Sequence, residues 1–130
     1  MESTEFTQFR KFLGKTQKEM AQLVGISLKA IHSYEQGWRT IPPHIERQLF
    51  FLASKKTGLK IKKCWIVNKC PKTRKVKCPA FEFDAGELCW FINGTICGGE
   101  LQKNWQEKMV KCRKCEVLTP IFEEVINFSY

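Results

Sequence analysis

Apolar residues recur at helical spacing from the start of the chain to about Thr57, and that regularity is lost afterwards. Phe6, Phe9 and Leu13 fall on one face of a short helix, with Ser3-Thr4 as its cap and Gly14 as its stop. Thr16-x-x-Glu19 has capping-box spacing and opens a second helix. Met20, Leu23 and Val24 form its inward face, Ala21 leaves room for a close neighbour, and Gly25 supplies the positive φ that ends it. Ser27 caps a third helix, and Ile26 and Ile31 stand at the two positions of a hydrophobic staple. Ile31 and Tyr34 turn inward, which leaves Leu28, Lys29, His32, Ser33 and Gln36 outward. Gly37 closes this helix and Trp38-Arg39-Thr40 forms a loop. Pro42-Pro43 leads into a fourth helix, in which Ile45, Leu49 and Leu52 repeat at helical spacing. Thr57-Gly58 marks a boundary, so residues 1–57 are expected to form one domain and residues 58–130 a second.

The expected fold class is a mainly α bundle of four helices followed by a small, loop-rich domain held by a metal or cluster. Composition adds a direction. With 22 Lys+Arg against 13 Asp+Glu, the net charge of +9 favours nucleic acid or an anionic membrane as partner. No apolar run is long enough to span a bilayer, and the first residues lack the apolar core of a signal peptide. A cytoplasmic location with reduced thiols is the expectation, without a membrane partner. No nucleophile–base pair, phosphate loop or pair of catalytic carboxylates stands out, so no enzyme is expected.

Residues 4 to 56 resemble the phage-repressor, Xre/Cro-like helix-turn-helix regulators. The resemblance is carried by Thr16-Gln17, Glu19, Ala21, Gly25, Ser27, Ile31, Glu35 and Gly37. It implies a compact helical domain that binds palindromic double-stranded DNA as a homodimer. By position it implies that Leu28, Lys29 and Ser33 meet base edges, beside the Ser27 cap and with His32 nearby. Gln17, at a positive helix end, would meet phosphate, and Trp38 and Arg39 would flank the backbone. The fifth helix usual in that family is replaced here by cysteines. Arg10 and Lys11 read equally as a solvated face or as phosphate contacts.

The second half holds the seven cysteines: Cys64, Cys70, Cys78, Cys89, Cys97, Cys112 and Cys115. An odd count in a reducing compartment favours metal over disulfides. Cys112-x-x-Cys115 has the spacing of a metal knuckle. Proline follows Cys70 and Cys78 and stiffens those turns, as at the end of the bacterial ferredoxin pattern. Cys97-Gly98-Gly99 frees the backbone to approach a cluster, and the Cys64-Trp65 and Cys89-Trp90 pairs set a large ring beside a thiol. Both histidines, His32 and His44, lie in the first half, so ligands here must be thiolates. A [4Fe–4S] cluster leads on these spacings; zinc is the alternative, and reduced structural cysteines a third reading. The basic run from Lys62 to Lys77 either follows a phosphate backbone or offsets thiolate charge. The apolar tail, including Ile121, Val125, Phe128 and Tyr130, would cover this module or join two copies.

This half resembles the two-CW module of anaerobic bacteria. The matching residues are Cys64-Trp65, Cys70, Cys78-Pro79-Ala80-Phe81, Cys89-Trp90, Gly94-Thr95, Cys97-x-Gly99, Lys108 and Cys112-x-x-Cys115. The two resemblances together imply a transcriptional regulator that answers to redox state, oxygen or metal. The competing expectation is a DNA-binding module with a structural zinc staple, and an electron-transfer protein is the weaker third.

Overall fold

The computed structural model describes residues 1–97 and 99–128. Gly98 beside Cys97, and Tyr130 of the tail, lie outside the described residues. The described residues are mainly helical, with one very small sheet among them. It divides into two compact units. The first comprises Met1–Gly58 together with the residues from Glu123 onward, and the second is Leu59–Phe122.

The first unit contains α1 (Ser3–Phe12), α2 (Gln17–Val24), α3 (Leu28–Glu35) and α4 (Pro43–Thr57). Glu2, rather than Ser3-Thr4, caps α1, because Glu2 and Glu5 form a reciprocal box around the first turn. Thr16 and Glu19 form the same box on α2, with the Glu19 amide donating to the Thr16 hydroxyl at 3.1 Å. The Thr16 amide, which donates to Glu19 Oε1 at 3.1 Å, and then the Thr16 hydroxyl hold the Glu19 carboxyl below its ordinary value. Gly25 turns the chain at φ 72°, where a side chain would be strained, and the Ala30 amide donates to the Ser27 hydroxyl. Phe6, Phe9, Met20, Ile31, Ile45, Leu49 and Phe50 are buried. Leu23, expected inside, is 42% exposed, and Leu52 is only half-buried. Phe50 and Ala53 hold the core positions of α4 instead.

The second unit is built from short pieces. α5 (Cys64–Val67), α6 (Lys72–Lys75) and α7 (Pro79–Glu82) have four residues each. A 3-10 turn (Cys89–Phe91) follows, and then strands β1 (Ile96–Cys97) and β2 (Glu100–Leu101). The strands pair antiparallel, Ile96 opposite Leu101 and Cys97 opposite Glu100. α8 (Trp105–Cys112) carries Trp105, Lys108, Met109 and Cys112 on its buried side. Trp90, Val117, Leu118 and Ile121 complete the core. Gly86 is required where the chain folds back: a Cβ there would stand 2.7 Å from the Lys63 Cβ and 2.9 Å from the Trp65 ring.

α9 (Thr119–Ile126) starts in the second unit and ends in the first. Beyond it the Phe128 ring meets the Phe12 ring edge-on, 5.4 Å between centroids. The tail residues Ile121 and Val125 are buried.

Candidate functional site

On the first unit, α2 and α3 are fixed through Glu35. Arg10 Nε of α1 donates to Glu35 Oε1, and Gln17 Nε2 of α2 donates to Glu35 Oε2 at 2.5 Å. Arg10 also donates to the Lys15 carbonyl at 2.9 Å. Three helices therefore share one carboxylate, which sets the angle of α3. Arg10 is thus a structural cation, and the Gln17 amide is engaged by Glu35 rather than left open for a phosphate.

The outer side of α3 presents Leu28, Lys29, His32 and Gln36, all exposed. Ser33 differs from the outward placement expected of it. It is 8% exposed, and its hydroxyl donates to the Lys29 carbonyl one turn back at 2.9 Å. The position falls beside Tyr34 on the buried side, because the inward arc of α3 is wider than Ile31 and Tyr34 alone define. Ser27 is spent on its cap. Trp38 is 71% exposed, with its ring edge-on to His32 at 5.4 Å, and Arg39 is exposed beside it.

In the second unit the thiols gather around two hollows. Cys64, Cys70, Cys78 and Cys97 line one of about 20 Å³, walled by Trp65 and Phe81. Cys89, Cys97, Cys112 and Cys115 line the other, of about 270 Å³, with Asn68, Lys111 and Lys114. All seven are free thiols. Asn68 Nδ2 donates to Cys115 Sγ at 3.8 Å, and Lys111 Nζ to the Cys97 carbonyl at 3.1 Å.

The Cys89 thiol donates to the Cys64 sulfur, which pulls Cys64 down to about 7. Cys89 is pushed up because it keeps that proton, and burial adds to the effect. Burial raises Cys112 to about 11, against the pull of the Lys108 ammonium. Lys108 is 1% exposed, and its Nζ donates to Thr95 Oγ1 at 2.6 Å. No carboxylate pairs with Lys108 among the described residues.

Compared with known proteins, the chain matches no family model, no curated protein and no solved structure. The case for function therefore rests on this geometry. Among the described residues, no helix is long and apolar enough to cross a membrane.

The donor set fits a thiophilic metal by its chemistry, since it offers seven sulfurs and no imidazole. Among the described residues, no group of three or more His, Cys, Asp or Glu side chains stands ready to hold a metal ion. Part of the basic run attends the thiols: Arg74 and Lys75 line the smaller hollow, and Lys63 and Lys75 lie over the Trp65 and Phe81 rings. The charge at Lys108 is the feature that spacing rules alone pass over. Its signal is a lysine on the same helix face as Trp105, Met109 and Cys112, where an apolar residue belongs.

Proposed function

We propose that this chain is a sequence-specific DNA-binding regulator, with α2, the Gly25 turn and α3 as its helix-turn-helix. One observation carries the reading. Glu35 ties Arg10, Gln17 and α3 together, and the outer face of α3 exposes Leu28, Lys29, His32 and Gln36 to another molecule. A capped helix with its inner side locked and its outer side chemically mixed suits the major groove. Lys29 and His32 supply donors to base edges or phosphate, Leu28 an apolar contact for a thymine methyl, and Trp38 with Arg39 a flank for the backbone. The +9 charge favours the encounter. A homodimer on a palindromic operator follows from the resemblance to the phage-repressor class.

In this reading the second unit holds a thiolate-ligated metal centre in a reducing, cytoplasmic setting, and the state of that centre regulates DNA binding. Helices of four residues have too few internal hydrogen bonds to persist alone, so their order depends on packing and on cross-linking by a centre. The same observation favours the rival, a purely structural zinc staple.

Selection of bound duplexes from a random pool, with the full chain purified anaerobically, tests the reading. Enrichment of a palindromic sequence whose recognition is weakened in K29A is expected. Retention of all sequences alike at physiological salt counts against a specific regulator. Equal specific affinity before and after oxidation of the centre leaves only the staple.

A further inference from the structure

We propose that Cys89, Cys97, Cys112 and Cys115 are the ligand set of a four-iron, four-sulfide cluster, with Lys108 as its buried counter-charge and Cys70 and Cys78 outside the set. The inference rests on the reading that the second unit holds a metal centre, and it names the centre and its ligands.

Space decides between the two hollows. The one beside Cys70 and Cys78, lined also by Trp65 and Phe81, measures about 20 Å³, which is little more than the roughly 15 Å³ that admits one water. The one bounded by Cys89, Cys97, Cys112 and Cys115 measures about 270 Å³. A single zinc ion draws four sulfurs to about 2.3 Å from one point and leaves no such volume between them. An inorganic core of iron and sulfide fills it.

The four cysteines come from separate pieces that converge there. Cys89 starts the 3-10 turn, Cys97 ends β1, Cys112 ends α8, and Cys115 follows in the next turn, its amide donating to the Cys112 carbonyl at 3.0 Å. Asn68 already directs an N–H at the Cys115 sulfur, the type of contact that stabilises cluster thiolates.

Charge agrees with space. Two ferric and two ferrous ions with four sulfides make a core of charge two plus. Four thiols give up their protons to solvent on ligation and bring the total to two minus. An ammonium that is 1% exposed and has no carboxylate partner among the described residues is costly to bury alone. Beside a dianionic centre it is matched, and Lys114 at the rim adds to the balance, whereas Lys111 there is paired with Glu100 at 3.0 Å.

The test is anaerobic reconstitution of the full chain with equal ferric and ferrous salts and sulfide, with zinc offered in parallel. About four iron and four sulfide per chain are expected, with a broad visible band. C89A, C97A, C112A and C115A should each fall below a tenth of that iron, and C70A and C78A should keep it. Alkylation of the unaltered chain gives an answer independent of variant folding. Loading should protect the half-buried Cys97 and Cys115 and leave Cys70 and Cys78 as reactive as before. Protection of Cys70 and Cys78 on loading, loss of iron in C70A or C78A, or stoichiometric zinc with no iron uptake overturns the assignment. Iron and sulfide counts do not depend on DNA, so this inference and the DNA-binding reading fail separately.

Discussion

Lys108 Nζ and Thr95 Oγ1 lie 2.6 Å apart, and both residues are 1% exposed. The ammonium is thus held still by a neutral partner, with its charge left for the thiols. Electrostatics at Cys64, Cys89 and Cys112 all respond to it.

Replacing Lys108 by Met should make the loaded centre harder to reduce. Taking a fixed positive charge from beside an anionic centre lowers its midpoint potential, by about 60 mV if the equilibrium shifts tenfold. K108R should lie between the two. Spectroelectrochemical titration of the three proteins reads this directly, and an unchanged potential in K108M means the charge does not reach the centre.

Arg10 and Glu35 form a largely buried pair, so cutting it from one side is costly. R10M leaves an uncompensated carboxylate and should destabilise the first unit by about 3 kcal/mol. E35Q, which removes the charge and keeps hydrogen-bonding capacity for Gln17, should lose less. Chemical denaturation followed by far-UV circular dichroism separates the two, and equal losses would show that the charge is immaterial.

Lys29 stands free on the outer side of α3. K29A should weaken binding to the selected operator by about 1–3 kcal/mol if it reads a base. If it meets phosphate instead, the loss should be uniform across sequences and the salt dependence shallower by about one counterion. Binding isotherms at several salt concentrations on matched and scrambled duplexes distinguish these outcomes. No effect on either would remove α3 from the interface.

The Glu19 carboxyl is held below its ordinary value of 4.5 by the Thr16 amide and hydroxyl. A carboxyl lowered by folding stabilises above its unfolded value, and that contribution is lost as pH falls through the folded one. E19Q should therefore lower stability at neutral pH and flatten the acid limb of the stability curve. T16A removes the cap itself and should cost about 1 kcal/mol at neutral pH. Thermal melts from pH 3 to 7 test both, and an acid limb that persists in E19Q points to another carboxyl.

The first unit was largely legible in the sequence because its signals are local. The Thr16–Glu19 box, Gly25 at positive φ and the Ser27 cap are each set within four residues. What the spacing rules missed there depends on neighbours. Spacing puts Ser33 on the outer face, yet it is buried and bonded to the Lys29 carbonyl, and Glu2 takes the cap expected of Ser3-Thr4. In the second unit the cysteines were visible and their grouping was not. Cys97 lines both hollows, and Cys89 meets Cys64 across a wide sequence separation. Such groupings arise from chain folding, which no fixed spacing records.

The division of the chain at Gly58 and Glu123 makes the thiol-bearing unit an insertion, because the first unit is completed by residues from beyond it. An inserted unit has two covalent tethers. Both tethers lead into the same host, so loosening of the insert lengthens the loop that the host must close. A domain appended at the end of a chain could unravel unnoticed. Here the Phe12–Phe128 ring contact lies on the far side of the insertion. Disorder between Gly58 and Glu123 would therefore reach the helical unit from its own carboxyl-terminal segment as well as through α4.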